Sequence, residues 1–191
     1  MRHHVQNGSL AHTLIKAIGM TGVFLFSGRN VSRALWKAEK WGREFENKKW
    51  REVKKSLNEL KHRGLVSLTF KSDGIFEARI TKKGKEIVRK IDFDDLQIIK
   101  PNRWDERWRM VIFDIPNKMH KHRLALTQKL RNLGFQMIQK SVWVHPYPCD
   151  EEIMVVRKFY NVDPYVTYIE TAHVEDEDVW REKFDLEFKR R

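Results

Sequence analysis

The sequence predicts an α+β protein with two domains, residues 1–100 and 101–191, and three observations support this prediction. Some segments place apolar residues at helical spacing, whereas others are short runs rich in β-branched residues. Hydrophobic residues make up 41% of the chain, so each half can bury a core. Residues 1–100 hold 22 Lys and Arg against 11 Asp and Glu, and residues 101–191 hold 16 against 15. This asymmetry is typical of a polyanion-binding part joined to a part with another role.

The first domain is expected to begin with two helices. Ser9 is a favourable N-cap residue, and the apolar positions from Leu10 to Leu25 follow helical spacing. Gly28 is expected to end this helix, because glycine commonly terminates helices. A shorter second helix is expected at about 31–40.

The third helix, at 48–62, has the clearest pattern in the chain. Its apolar residues are spaced by 3, 4 and 3 positions and form one narrow stripe, consisting of Trp50, Val53, Leu57 and Leu60. The opposite face is basic and polar, and it carries Arg51, Lys54, Lys55, Asn58, Lys61 and His62. The spacing therefore predicts a helix with one buried side and one cationic side.

A hairpin and a last helix are expected to follow. Residues 65–70 are apolar and β-branched, Asp73-Gly74 is a strong tight-turn signal, and 75–80 returns as the partner strand. Thr81 then caps a helix at 82–90. Three helices followed by a two-stranded hairpin is the order of a winged helix, so the predicted fold is an N-terminal winged helix.

The winged-helix interpretation assigns DNA binding to the first domain. The segments 60–66, 73–74 and 80–84 resemble those of bacterial winged-helix regulators, in which a basic third helix enters the major groove. The candidate DNA-binding residues are Arg51, Lys54, Lys55, Asn58, Lys61, His62, Lys71, Lys82 and Lys83. Two alternatives remain open: these charges are the solvated face of a surface helix, or the winged helix binds a protein partner.

The second domain is predicted to follow an acidic and polar connection at 92–103. Its elements are a strand at 107–113, a helix at 118–133, strands at 135–140 and 142–145, a helix that Asp150 caps and that runs to about residue 160, and a strand at 165–170. The order βαββαβ is that of a ferredoxin-like domain, with two helices on one face of a four-stranded antiparallel sheet. Beyond it, Trp180, Phe184 and Phe188 form an apolar stripe that packs on the domain or on a partner subunit.

Several motifs in the second domain resemble PaaX-type transcriptional repressors. They are Trp104-Asp105, Arg107-Trp108-Arg109, Phe113-Asp114-Ile115-Pro116, the Leu-Arg-Asn-Leu-Gly-Phe run at 130–135, and Ser141-Val142-Trp143-Val144. The central domain of that family has the fold of the small subunit of the CRISPR spacer-integration complex. The resemblance implies a DNA-binding domain at 1–100 and a dimerisation domain at 101–191.

Asp114 is the one candidate metal ligand. The resemblance to the CRISPR subunit implies that an aspartate at the end of the first strand binds Mg²⁺ together with its symmetry mate across a dimer axis. The alternative is that Asp114 accepts backbone N–H bonds in the turn before Pro116. No other cofactor is expected, because His120 and His122 are two residues apart and Cys149 has no histidine partner that the sequence identifies.

The whole chain is expected to act in the cytoplasm, without membrane contact. Cys149 is its single cysteine, and its most apolar window, 14–26, is too short to span a bilayer. The expected function is that of a DNA-binding transcriptional regulator, a repressor rather than an enzyme, acting on double-stranded DNA as a homodimer. The alternatives are a metal-dependent endonuclease or CRISPR-adaptation component, and a non-catalytic assembly protein. The sequence identifies no small-molecule effector.

Overall fold

The structure is a computed structural model of the chain and describes residues 8–27, 50–71 and 75–186. The chain divides into two compact units, Met1–Asp92 and Phe93–Arg191. Each unit contains an antiparallel sheet and helices, so the predicted α+β class is confirmed. The helix expected at 31–40, the Asp73-Gly74 turn and Phe188 lie outside the described residues.

The first unit contains a three-stranded sheet with the order β1-β3-β2, in which both pairings are antiparallel. Its elements in chain order are α1 (Leu10–Thr21), β1 (Val23–Ser27), α2 (Trp50–His62), β2 (Val66–Phe70), β3 (Ile75–Ile80) and α3 (Lys82–Asp94), the last of which runs on into the second unit. No helix in the described ranges is both long and apolar enough to cross a membrane.

The first helix is shorter than the sequence predicts. Ser9 is its N-cap, because its side chain accepts a hydrogen bond from the backbone N–H of His12 at 3.2 Å. The expected end at Gly28 is wrong, since the helix ends at Thr21 and Gly22 takes a left-handed conformation with φ of 74°. The N–H of Gly22 then bonds to the Ile18 carbonyl at 2.8 Å. The residues that follow form β1, the central β3 being its antiparallel partner.

The core of the first unit confirms the apolar stripe of the third predicted helix. Val53, Leu57 and Leu60 of α2 are fully buried, together with Leu14 and Ile18 of α1. Because these residues recur at helical spacing, their burial fixes which face of α2 points to solvent. The side chain of Trp50 lies outside the described part of this helix.

The second unit has the predicted βαββαβ order. Its elements are β4 (Trp108–Phe113), α4 (His120–Asn132), β5 (Gln136–Gln139), β6 (Val142–His145), α5 (Asp150–Phe159), β7 (Val166–Thr171) and a short C-terminal helix, α6 (Glu177–Lys183). The strands pair antiparallel in the order β5-β6-β4-β7, so β5 and β7 are the outer strands. Asp150 is the first residue of α5 and not its N-cap, a correction to the predicted cap. It instead places negative charge in the first helical turn, where the helix dipole favours it.

Each face of the second sheet contributes to its own core. Val111, Phe113 and Trp143 pack with residues of α4 and α5. Trp108 and Val144 point to the opposite face and pack with the C-terminal segment. The apolar stripe of the tail therefore serves core packing within the unit, at least at Trp180 and Phe184, its two described members.

Candidate functional site

The predicted DNA-binding residues of α2 share its solvent-exposed side. Arg51, Lys54, Lys55, Asn58, Lys61 and His62 are all exposed. None of the four Lys and Arg side chains of this set forms an ion pair with an acid in the described ranges 8–27, 50–71 and 75–186. We call these six residues the α2 face. Since its charges are not neutralised by described neighbours, it presents a cationic surface that can attract phosphate groups.

The end of α2 is held by two features that position this face. Gly64 has a φ of 68°, and the N–H of Leu65 bonds to the Leu60 carbonyl at 2.9 Å, which ends the helix in a glycine cap. The hydroxyl of Thr81 donates to the Gly64 carbonyl at 2.7 Å, and it accepts from the N–H of Gly84 at 3.0 Å. One threonine therefore caps α3 and also binds the turn after α2.

The predicted residues outside α2 have more varied surroundings. Lys83 donates to the carbonyl of Arg63 at 2.8 Å, so its ammonium binds the same turn after α2. Lys71 lies 3.9 Å from the carboxylate of Glu77, which partly neutralises its charge. Lys82 is exposed and has no acidic partner in the part of the chain that the structure describes. Lys82 and Lys83 thus lie near the turn that ends α2, whereas Lys71 directly follows the last residue of β2.

Asp114 is exposed at the end of β4, where the sequence predicts it. Its backbone N–H donates to the Tyr165 carbonyl at 3.0 Å. Its carboxylate accepts no hydrogen bond from residues 8–27, 50–71 or 75–186, so the structure gives no support to the expected turn-forming role. Within these same ranges no group of three or more His, Cys, Asp or Glu residues could hold a metal ion. Metal binding by an Asp114 pair across a dimer axis stays a prediction.

A buried arginine network is the main feature that sequence reasoning missed. Arg109 lies in β4 with a side chain that is 3% exposed, and it forms ion pairs with Asp105 and Glu170. Its guanidinium also donates to the carbonyls of Arg107 at 2.9 Å and Pro146 at 2.8 Å. The hydrogen bond from Arg109 lowers the pKa of Asp105. This network ties the segment before β4 to the turn after β6.

A cavity of about 750 Å³ opens beside this network in the second unit. Its lining includes the rings of Trp104 and Tyr147 and three residues of each charge sign, which are Lys100, Arg103, Arg181, Glu106, Glu182 and Asp185. The guanidinium of Arg181 covers the Trp104 ring at 4.5 Å and also pairs with Glu177 at 2.7 Å. Because the charges balance and Arg181 is already paired, the cavity shows no preference for an anion or a cation.

His145 is a buried residue of β6. It is 5% exposed, and its ring packs against Phe135, Tyr147 and Phe184. Its Nδ1 atom accepts the backbone N–H of Tyr147 at 3.2 Å. Burial lowers the pKa of His145 to about 4. The native protein therefore keeps this imidazole largely neutral at any pH well above 4.

We expect the second unit to lose about 2 kcal/mol of stability between pH 7 and pH 5 because of His145. The unfolded state takes up a proton near the ordinary histidine pKa of about 6.5, whereas the native state does so only near 4. Stability contributed by the neutral ring is therefore present above the unfolded pKa and falls as the pH drops from there toward 4. This loss can be measured by denaturant unfolding at each pH, with the protection of the β6 amides against hydrogen exchange as the readout.

Two histidine variants test that prediction. His145→Phe removes the titrating group and should flatten the pH dependence of unfolding over this range. His120→Gln removes an exposed histidine of the same unit and should leave the dependence in place. An unchanged dependence in His145→Phe would assign the effect to other groups.

Residues 101–181 match the protein family described as the PaaX protein central Cas2-like domain. The matched segment lies in the second unit and includes the whole βαββαβ arrangement. Over these residues the resemblance to the PaaX-type family is confirmed. No curated protein matches the chain.

Proposed function

Because its second unit matches the central Cas2-like domain of PaaX proteins, we propose that this protein is a DNA-binding transcriptional regulator, acting as a repressor. In this proposal the first unit binds double-stranded DNA and the second unit joins two copies of the chain. The protein works in the cytoplasm and catalyses no reaction. The cationic α2 face is the single observation that carries the DNA-binding part of the proposal.

The first unit acts as a winged helix in this proposal. In support, α1 and β1 precede α2, the strands β2 and β3 follow it as a hairpin, and β3 is central in the sheet. In a winged helix, the helix before the hairpin enters the major groove. The α2 face then meets the DNA, where lysines bind phosphates and Arg51 or Asn58 read base edges.

We expect the double variant Arg51→Ala, Lys55→Ala to bind duplex DNA roughly 10- to 100-fold more weakly than the unchanged protein. Each lost phosphate contact also removes about 0.9 from the slope of log K against log salt concentration. Fluorescence anisotropy with a random-sequence duplex of about 40 base pairs, between about 50 and 200 mM salt, measures both effects.

Matched controls separate the loss of the Arg51 and Lys55 side chains from a general loss of positive charge on the protein. Arg107→Ala with Lys158→Ala removes two exposed cations from the second unit and should change binding little. Asp114→Ala should bind as the unchanged protein does. Equal weakening by the second-unit pair would argue against the α2 face. If Mg²⁺ caused cleavage of the probe that Asp114→Ala abolished, the nuclease alternative would replace the proposal.

We expect the full chain to have a solution mass of twice 23.0 kDa. The strands β5 and β7 are the outer strands of their sheet, and an uncovered edge can pair with a second copy. Met137 and Ile169 are exposed apolar side chains on these two strands, at 48% and 40%. Light scattering should show the monomer for Met137→Lys if β5 forms the contact, and for Ile169→Lys if β7 forms it. A monomeric unchanged protein at tens of micromolar contradicts the dimer.

A further inference from the structure

Charge in the second unit is divided between two segments of the chain. Residues 115–149 contain six Lys and Arg and no Asp or Glu. Residues 150–186 contain eleven Asp and Glu and four Lys and Arg. The near-neutral total of this half therefore conceals a basic part, made of α4, β5 and β6, and an acidic part, made of α5, β7 and the C-terminal segment.

Four of the six cations in the basic part are exposed. Lys118, Lys121, Arg131 and Lys140 are exposed, and none of them pairs with an acidic side chain in residues 75–186 or in the other described ranges. The remaining two are less accessible. Lys129 is buried and donates to the carbonyl of Phe93, and Arg123 is half-buried. We call the four exposed residues the basic surface.

Backbone geometry brings three members of the basic surface to one end of the unit. Lys140 lies in the turn between β5 and β6. The N–H of Phe113 bonds to the carbonyl of Ser141 at 3.0 Å, which places this turn beside the end of β4. Lys118 lies in the 3-10 turn Asn117–Met119 that follows this strand end, and Lys121 lies in the first turn of α4. The positive end of the α4 dipole adds to the potential there.

The fourth member extends the basic surface along α4. Arg131 is ten residues beyond Lys121, a distance of about 15 Å along a helix axis. Its guanidinium lies over the Trp143 ring of β6 at 5.5 Å. The exposed residues between the two cations are uncharged, namely Leu124 and Gln128. The cations are thus spread over a length that can contact several phosphates of one duplex.

We propose that the basic surface binds the phosphate backbone of duplex DNA, as a contact additional to the one made by the first unit. Every aromatic residue within 115–149 is buried, so this surface offers no platform on which unpaired bases could stack. A surface with exposed cations but no exposed aromatic rings is better suited to the phosphate backbone of a duplex than to a single strand. The inference rests on the proposed function, since it assigns the second unit a share in the same DNA complex.

The salt dependence of binding by the full chain tests this inference. The variant carries Gln at Lys118, Lys121, Arg131 and Lys140. Its matched control carries Gln at four exposed cations outside the surface: Arg103, Arg107, Lys158 and Lys183. We expect the variant to reduce the slope of log K against log salt by about 3 and to weaken binding at least 10-fold near 0.1 M salt. The control should change the slope by less than about 1.

The outcomes distinguish this inference from the proposed function. If the unchanged protein binds the duplex and the variant keeps its slope, the basic surface has no contact with DNA and the inference is overturned while the proposed function stands. If the unchanged protein binds no duplex, the proposed function itself fails. If the variant keeps its slope but loses the dimeric mass, the partner of the surface is the acidic part of a second copy, which also overturns the inference. A variant with Lys118, Lys121 and Lys140 changed to Arg should bind as the unchanged protein does.

Discussion

Replacing Arg109 by alanine is expected to lower the free energy of unfolding of the second unit by about 3 kcal/mol. Removing one partner of a buried ion pair leaves the other charge without compensation. Here Asp105 and Glu170 keep 43% and 38% of their side chains exposed, so water hydrates them after the loss and the cost stays at the lower end of its range. The carbonyl of Pro146 also loses the hydrogen bond that Arg109 donates.

The adjacent Arg107 offers a matched control for this prediction. Its side chain is exposed, and it lies immediately before the first residue of β4. Arg107→Ala should change the free energy of unfolding by no more than about 0.5 kcal/mol. Arg109→Lys keeps the charge but not the fork of donors, so we expect an intermediate loss. Hydrogen exchange of the β4 amides measures the stability of the second unit separately. Equal stabilities of Arg109→Ala and Arg107→Ala would contradict the structural role of the network.

The second unit was the easier one to predict from sequence, because its elements are bounded by strong local signals. Gly134 follows the end of α4 and adopts a φ of 89°, a conformation that glycine tolerates best. The sequence predicts strands at 135–140 and 142–145, and the structure has β5 and β6 at Gln136–Gln139 and Val142–His145. The Arg109 network was not predictable in this way. Its partner Glu170 is 61 residues away in the chain, and only the pairing of β4 with β7 brings the two together.

The first unit shows where helical spacing misleads. Val23 to Ser27 continues the apolar pattern of α1, so the sequence predicts a longer helix. The left-handed conformation of Gly22 ends that helix, and the next residues pair with β3, from Val23 with Arg79 to Ser27 with Ile75. Periodicity reports local burial and carries no information on such distant pairing. The α2 stripe was predictable because the burial of its apolar residues depends on one face of one helix.

The candidate site also has features that the sequence predicts and features that depend on tertiary contacts. The exposure of the α2 face follows from helical spacing alone, and the structure places all six residues there. The surroundings of Lys83 and Lys71 depend on tertiary contacts with Arg63 and Glu77, which a list of basic residues does not reveal. The basic surface of the second unit was hidden because net charge was counted over the whole half, in which acids and bases nearly cancel.

Gly84→Ala is expected to lower the free energy of unfolding of the first unit by about 3 kcal/mol. Alanine normally stabilises a helix relative to glycine, so this sign is opposite to the ordinary one. The reason is a close approach of two backbone segments. A Cβ atom on Gly84 would overlap the carbonyl of Leu65 and would lie 2.8 Å from Cγ1 of Ile80. The Leu65 carbonyl cannot withdraw easily, because it accepts the backbone N–H of Thr81 at 3.1 Å.

Gly19→Ala is the matched control, since it is also a glycine-to-alanine change inside a helix of the same unit. A Cβ atom there would meet only the side chain of Val88, at 2.9 Å, and a side chain can shift where a backbone carbonyl cannot. We expect Gly19→Ala to cost no more than about 1 kcal/mol in chemical unfolding. The clash at Gly84 also bears on function, because Leu65 directly follows the turn that ends α2. Gly84→Ala should therefore weaken duplex binding as well as stability, whereas a variant as stable as the unchanged protein would refute the close packing of α3 against this turn.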